Sequence, residues 1–494
     1  MRRPLYVPAL LALLATPALA QDDTWIQTRL IALDELFGDT VNLMAAFLFA
    51  DFGTGFPLIV GVLLGGGIYY SFYFKWLSIR GFRHAIDVLR GRYDDPKDPG
   101  EITHFQALSS ALSATIGLGN IAGVAIAVSL GGPGAVFWMI VTAVFGMSSK
   151  LASCTLAIMY RRTTDDGHVS GGPMYYLEKG LALKGKAEFG RTLAVIYAFL
   201  TIGGSFGGGN MFQANQTLEI LSTVSPWFKD NNWIMGLIMA FFVGLVIIGG
   251  IRRIGSVTSK IVPAMCVLYV VSSLFIILMN VTQVPAMLVR IVSDAFTGPA
   301  MYGGFFGVLV MGIRRAAFSN EAGMGTEAMA HGAARTGEPV REGLVAMLGP
   351  MIDTLIVCTL TGLVILVTGV WQEGGEDGVL LTTAAFSSGL GAVGPYVLLV
   401  CVLFFSFSSM IGYSYYVTKC ATFLFGSWAR VPTLIFYLVA ILVSAFVSLD
   451  NVINFMDIMF GMMAVPTILS TILLAPRVMK AFHGYVERQG LRKN

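Results

Sequence analysis

Between Ser109 and Val128 the chain reads SSALSATIGLGNIAGVAIAV, apolar enough to cross a bilayer yet carrying Thr115, Gly117, Gly119, Asn120 and Gly123 close together. Glycine costs about 1 kcal/mol relative to alanine inside a helix, so this pattern predicts a membrane helix with an unwound middle. Broken backbone in hydrocarbon is tolerable only where protein or a wet cavity satisfies the freed N–H and C=O groups. Such a break is a candidate ligand site. The N–H groups that open its second half suit an anion, and the carbonyls that close its first half suit a cation. Close helix packing of small residues is the alternative reading. Met301 to Ala330 repeats the pattern with Gly303, Gly304, Gly307, Gly312, Arg314, Arg315, Asn320, Glu321, Gly323 and Gly325.

Two further stretches carry polar groups at useful spacing. In FFSFSSMIGYSYY, Ser408 and Ser409 place adjacent hydroxyls in an apolar span, the oxygen donors that hard cations prefer. A bond from each serine to its own preceding turn is the alternative. Tyr413 follows one turn later and can line a pocket or pack on a neighbour. In GGSFGGGNMFQANQ, Phe206, Asn210 and Gln213 recur at helical spacing, either as an aromatic lid with two amides or as amides bridging helices. Arg314, Arg315, Glu321, Glu327 and Asp353 lie in or near apolar spans, where an unpaired charge costs at least about 2.5–3.5 kcal/mol. Pairing is therefore expected, as an Arg–Glu gate or as a fixed ion pair, and Asp353 could instead carry a proton.

The elements that hold these residues follow from composition. The chain has 494 residues, 55% hydrophobic and 12% charged, with mean hydropathy +0.74, which excludes a water-soluble domain. Apolar blocks about 20 residues long indicate an all-α polytopic membrane protein rather than a barrel of short alternating strands. Cys154, Cys266, Cys358, Cys401 and Cys420 stand singly, without metal-type pairing.

Arg2 and Arg3 precede the apolar run Leu5 to Leu19, which ends in Ala18, Leu19 and Ala20, so residues 1–20 read as a signal peptide, with an uncleaved anchor as the rival. Residues 21–100 hold an extracytoplasmic segment, a first span from Gly55 to Phe74 and a linker rich in Lys and Arg. Ten more spans are expected near 105–128, 135–160, 192–224, 233–250, 258–279, 301–330, 343–370, 395–418, 431–449 and 452–475. Basic loops alternate with acidic ones. Eleven spans starting outside put the C-terminus, residues 477–494, in the cytoplasm of a cell whose inner (plasma) membrane holds the protein. The last ten spans divide into 101–280 and 281–476, five each, and an odd number inverts the second half. Interrupted helices at matching positions of two inverted halves point to the binding site of a secondary transporter.

GGPGAVFWMIVTAVFG (Gly131 to Gly146), FSNEAGMGT (Phe318 to Thr326) and TIGLGNIAGVA (Thr115 to Ala125) resemble, in this order and spacing, the blocks of the sodium:alanine (alanine or glycine:cation) symporter family. The resemblance runs from about Phe56 to the last span. It implies the leucine transporter fold: two inverted five-helix repeats with one extra N-terminal transmembrane helix. It also implies sodium-coupled import of alanine or glycine by alternating access. Ile140 replaces the usual tryptophan of the signature, Leu118 stands where many members have threonine, and Tyr413 where relatives often have tryptophan.

Applied to that substrate, the N–H groups of Leu118, Gly119 and Asn120 would take its carboxylate, and the carbonyls of Ala114, Thr115 and the second break its ammonium. Gly117 lets the ligand reach the backbone. The resemblance further implies a sodium ion held by the carbonyls of Ser113, Ile116 and Phe405 with the hydroxyls of Ser408 and Ser409, and favours Phe206 and Asn210, with Tyr413, around the substrate.

Competing readings are a proton-coupled symporter of the same fold, a passive channel and an intramembrane enzyme. A nucleotide-driven pump is disfavoured, since no GxxxxGK[ST] run occurs, and so is an enzyme, since the five histidines are scattered without an HExxH helix. No cofactor beyond the coupling ion is called for. The partners are a small-molecule amino acid and membrane lipid, with no nucleic acid.

Overall fold

The computed structural model describes residues 56–490 apart from 164–167, 226, 229–230, 298–302, 375–376 and 445–446, together with 43–46, 48 and 50. The signal peptide, most of residues 21–55, the start of the second glycine-rich span at Met301 and the last four residues fall outside the described residues. The helices that matter below are α1 (Leu58–Tyr73), α2 (Phe82–Leu89), α3 (His104–Thr115), α4 (Ala122–Gly131), α5 (Gly134–Tyr160), α6 (Ala187–Val224), α7 (Asn232–Ile247) and α8 (Gly250–Met279). They continue as α9 (Val284–Thr297), α10 (Gly304–Asn320), α11 (Glu327–His331), α12 (Pro339–Thr368), α13 (Gly378–Leu390), α14 (Gly394–Phe425), α15 (Arg430–Val443) and α16 (Leu449–Arg488). A two-stranded hairpin, β1 (Arg162–Thr163) with β2 (Val169–Ser170), follows α5.

Among the described residues, six helical runs are long and apolar enough to cross a membrane: α5, α6, α8, α12, α13 with α14, and α16. Four shorter apolar helices, at α1, α4, α7 and α15, join them. Residues 280–300 and 371–394, which lie between the expected spans, are partly helical. α9 is amphipathic and braced by Arg290 and Asp294 one turn apart at 3.2 Å. α13 starts on Asp377, whose carboxylate accepts from the Gly378 N–H at 2.6 Å.

Both glycine-rich spans are broken where composition places the weakness. The first stops at Thr115 and resumes at Ala122; the second stops at Asn320 and resumes at Glu327. α3 packs on α11 and α4 on α10, so the first half of each broken helix meets the second half of the other. That is the antiparallel crossing inverted halves demand. α14 lies against α3, α6 and α8, and α5 supports α10 and α12. Gly412 of α14 faces the Ala114 N and Ser113 Oγ so closely that a Cβ would lie 2.7 Å from each, which fixes how near α14 comes to the end of α3.

Past the first span, the end rich in arginine is tied shut by backbone. Glu101 N–H donates to the Ala333 carbonyl at 2.9 Å, Arg335 N–H to Ile102 at 2.7 Å and Thr336 N–H to Pro99 at 3.1 Å. The Arg161 guanidinium gathers the carbonyls of Ala334 and Thr336 at 2.7 Å each and of Pro99 at 2.8 Å. Beneath this knot the buried carboxylate of Glu342 bonds the Nδ1 atoms of both His104 and His331, linking α3, α11 and α12.

Glycine also sets the α5–α10 contact, since a Cβ on Gly312 would lie 2.6 Å from the Ala135 carbonyl oxygen and 2.6 Å from Trp138 Cβ. Gly312→Val is expected to cost about 1–3 kcal/mol through overpacking and to lower the midpoint of thermal unfolding in detergent. Gly65→Ala, in a helix with open space around it, should leave that midpoint unchanged or slightly raised.

Candidate functional site

α3 begins with a capping box, Gln106 N–H donating to Thr103 Oγ1 at 3.2 Å and Thr103 N–H to Gln106 Oε1 at 3.1 Å. It ends at Ile116, whose ψ of 89° leaves the helix. The chain then turns: Asn120 N–H donates to the Gly117 carbonyl at 3.1 Å, and Gly117 N–H donates to Asn120 Oδ1 at 3.0 Å. The Leu118 N–H donates to Gln213 Oε1 at 2.9 Å. A Cβ on Gly117 would collide with Ser409 Oγ and lie 2.9 Å from Gln213 Oε1, so a larger residue there would displace one or both side chains. Gly119 and Gly123 lie under the Phe318 ring, with closest approaches of 3.1 and 3.4 Å to an added Cβ.

Of the three N–H groups expected to face a carboxylate, the protein itself engages two. Leu118 is held by Gln213, and Asn120 by the turn. The Asn120 side chain points away from the turn's open side, its Nδ2 donating to Asp353 Oδ1 at 2.9 Å and to the Asp353 carbonyl at 3.2 Å. Gln213, an amide without an assigned role at the break, is thus the residue that polarises it.

The five groups expected to hold a cation, Ser113, Ile116, Phe405, Ser408 and Ser409, are all fully buried. They are not equivalent. Ser408 Oγ donates to the Phe405 carbonyl of its own preceding turn at 2.9 Å and touches Met265 Sδ at 3.4 Å. Ser113 Oγ donates to the Ser110 carbonyl at 2.8 Å, while Ser409 Oγ is buried beside Gly117 with no hydrogen-bond partner. Thr115 Oγ1 turns back to the Ala111 carbonyl at 3.3 Å. Among the described residues no group of three or more His, Cys, Asp or Glu side chains could hold a metal ion, so oxygen from backbone and hydroxyls is what the break offers.

At the second break Glu321 adopts φ 55°, a left-handed conformation uncommon for a side chain of its size, and Gly323 and Gly325 follow at φ 91° and 77°. Glu321 is buried, with Thr326 Oγ1 and Tyr413 OH donating to its carboxylate. Tyr413 therefore reaches the second break from α14. Asp353, in a π-helical stretch of α12 (Met351–Cys358), takes Ser319 Oγ, Asn120 Nδ2 and Thr354 Oγ1 on Oδ1 and leaves its buried Oδ2 unpartnered.

Phe206 and Asn210 are placed elsewhere. The Phe206 ring packs at 5.7 Å on Tyr437 and borders an apolar groove of about 420 Å³ with Phe425, Phe436 and Val443. Asn210 Nδ2 donates to the Tyr437 carbonyl at 2.7 Å, bridging α6 to α15. The aromatic cover over the break is instead a layer of Phe212, Phe318, Phe460 and Tyr413, with centroid separations of 5.1, 5.9 and 6.2 Å along the row. Phe318 sits within the FSNEAGMGT block and could have been found there; Phe460 carries no local signal. Above this layer Asp457 of α16 pairs with Arg314 at 2.7 Å and with Arg315, whose guanidinium lies 5.8 Å from the Phe318 ring. The arginines thus pair with Asp457, not with Glu321 or Glu327.

The sodium/alanine symporter AgcS of Methanococcus maripaludis is 40% identical over 463 residues, covering 93% of this chain and 98% of its own. The probable sodium/glutamine symporter GlnT of Bacillus subtilis is 34% identical, covering 88% and 89%. The crystal structure of MhsT in complex with L-phenylalanine superposes with a TM-score of 0.56 at 15% identity, over 78% of this chain and 99% of that one, which establishes a leucine-transporter-type fold. Residues 40–494 match the sodium:alanine symporter family, and the chain belongs to that family.

Proposed function

We propose that the protein couples the inward movement of sodium to import of a small neutral amino acid, alanine or glycine, across the inner membrane, through eleven crossings with the C-terminus in the cytoplasm. The carrying observation is Ser409 Oγ, buried without a hydrogen-bond partner among the described residues, beside Gly117, whose neighbour Leu118 has its N–H held by the Gln213 amide. Leaving a buried hydroxyl unmatched costs about 1–3 kcal/mol, which a cation ligated by that oxygen removes. Ser113, Ile116 and Phe405 would add carbonyl oxygens and Ser408 a second hydroxyl. Gly117, Leu118, Gly119 and Asn120 would receive the carboxylate once Gln213 swings aside, with Thr115 and Tyr413 bordering the pocket. Phe318 over Gly119 and Gly123 limits the side chain to a small one. Phe206 and Asn210 would act on the pocket only through α6 and Tyr437. Family membership and the name of the archaeal relative favour alanine.

Alternating access needs two closures, and two candidates flank the site. One is the Arg314–Arg315–Asp457 cluster over the aromatic layer; the other is the knot around Arg161 with the His104–Glu342–His331 link. Each binds α3, α10 or α11, the broken helices, to elements outside them. Sodium entry supplies about 2.3 kcal/mol per charge per 100 mV besides its concentration gradient, enough with that gradient to concentrate a solute many-fold.

A second reading rests on one observation. The unpartnered Oδ2 of Asp353 suits a carboxyl that carries a proton, which would make the coupling ion H⁺. Radiolabelled alanine flux into proteoliposomes separates the readings. An imposed sodium gradient at equal pH is expected to drive accumulation above equilibrium, and a pH gradient without sodium to drive none. Accumulation on the pH gradient alone would transfer the role to Asp353, and sodium-independent equilibration would mean a channel. Within the sodium reading the two serines separate: Ser409→Ala should raise the sodium concentration for half-maximal uptake about tenfold, a loss near 1.4 kcal/mol, whereas Ser408→Ala should change it less. Equal shifts in both variants would move the ion away from Ser409.

A further inference from the structure

A cavity lined by several charged side chains lies away from the break, at the arginine-rich end, where α7 meets α8 beside α14 and α15. It holds about 370 Å³, the size of a small ligand site. Arg252, Lys419 and Arg430 line it with His168, and Glu101 is its single described acidic side chain. Glu101 is already committed, accepting from the Val169 N–H at 3.1 Å with the Arg252 Nε at 3.7 Å. Lys419 Nζ donates to the Val169 carbonyl at 3.2 Å and to Ser170 Oγ at 2.9 Å, and Arg430 Nη2 reaches the Ile248 carbonyl at 3.5 Å. Neither cation meets a carboxylate there, so the described lining carries a surplus of two positive charges.

Two independent features favour an anion over solvent. α8 opens into the cavity through Gly250, at φ 64°, with no side-chain cap and no acidic residue in its first turn, so its leading N–H groups and dipole face the same space. Tyr415 lines the cavity at 7% exposure with a buried hydroxyl that has no partner. Ser414, Thr418 and Thr422 of α14 add hydroxyls, and the other walls are isoleucine and leucine side chains of α7, α8 and α15, helices of the apolar bundle. Positive charge, free donors and apolar walls at the edge of a membrane helix bundle match a phosphate carrying a greasy tail.

We infer that this cavity is a binding site for a phosphate-bearing anion, the headgroup of an acidic phospholipid or free phosphate. Its occupant would fasten the start of α8 to α14, the helix that carries Ser408 and Ser409, and to α15. The site is independent of which ion is coupled.

The test uses the full chain, delipidated in detergent, with Arg252→Gln/Arg430→Gln, both of whose side chains are solvent-exposed and safe for folding, and with Tyr415→Phe. Native mass spectrometry and thermal unfolding are read with phosphatidylglycerol micelles, phosphatidylcholine micelles and inorganic phosphate in turn. Wild type should retain phosphatidylglycerol about tenfold or more tightly than the double variant, with phosphatidylcholine indifferent to the substitutions, and Tyr415→Phe should fall between. Protection by inorganic phosphate as well, or by it alone, keeps the anion site and names the soluble source. Equal retention of phosphatidylglycerol by wild type and double variant, with no stabilisation by phosphate, overturns the site.

Discussion

Every polar backbone group that a broken helix releases inside an apolar bundle needs a partner, and much of this molecule is arranged to provide one. The Asn120 carbonyl accepts from Thr361 Oγ1 at 2.8 Å, the Ile121 carbonyl from Thr382 Oγ1 at 3.3 Å, and the Gly323 carbonyl from Thr467 Oγ1. The Ala322 N–H donates to Asn320 Oδ1 at 3.0 Å. These partners come from α12, α13, α16 and the end of α10. Three threonines of separate apolar helices, Thr361, Thr382 and Thr467, therefore serve a single requirement: each turns its hydroxyl to a gap in one of the two breaks. The helices that surround the broken pair are held in register by that need as much as by apolar packing.

The same requirement decides what could be read from the chain and what could not. The breaks were legible because clustered glycine and asparagine weaken a membrane helix wherever they occur, and the family blocks lie on them. Gln213 was visible only as one of several amides, since its role depends on which backbone N–H lies opposite. Phe206, Asn210 and Gln213 were grouped by helical spacing, but α6 contains a π-helical stretch, Gly207–Met211, which shifts the register of everything beyond it. Residues on either side of that stretch do not share a face, so Phe206 turns outward to Tyr437 while Gln213 turns inward to Leu118. Simple periodicity fails wherever a helix adds a residue to a turn. The pairing of both arginines with Asp457 was hidden for another reason: it joins residues more than 140 positions apart, and charge alone cannot choose between Asp457, Glu321 and Glu327.

The two closures differ in kind. Over the aromatic layer, a buried carboxylate faces two guanidiniums, and separating them leaves charge in a poor solvent, a cost of several kcal/mol unless water enters at the same time. At the opposite end, most of the contacts are backbone hydrogen bonds and guanidinium-to-carbonyl bonds, which water replaces one for one at a net cost near 1 kcal/mol each. The first closure would thus open only as a flooded vestibule, whereas the second could loosen piecemeal from Arg161 at its edge as far as the His104–Glu342–His331 link, whose buried carboxylate carries the same kind of desolvation cost as Asp457.

The same energetics bear on how an ion and an amino acid could be coupled at one turn. Gln213, itself anchored by its Nε2 on the Gly208 carbonyl at 2.9 Å, holds the Leu118 N–H in the absence of a carboxylate. A carboxylate that took this N–H would leave a buried amide oxygen without its donor, so the exchange would return little free energy to the amino acid by itself. The hydroxyl of Ser409 is different, because no group among the described residues satisfies it. A cation at that oxygen would also draw on the carbonyls that end α3, ordering the strand whose next residues form the carboxylate turn. On the proposed site, one ligand would then supply the free energy and the other read the shape, and the two would travel together because they would share the backbone between Ser113 and Asn120.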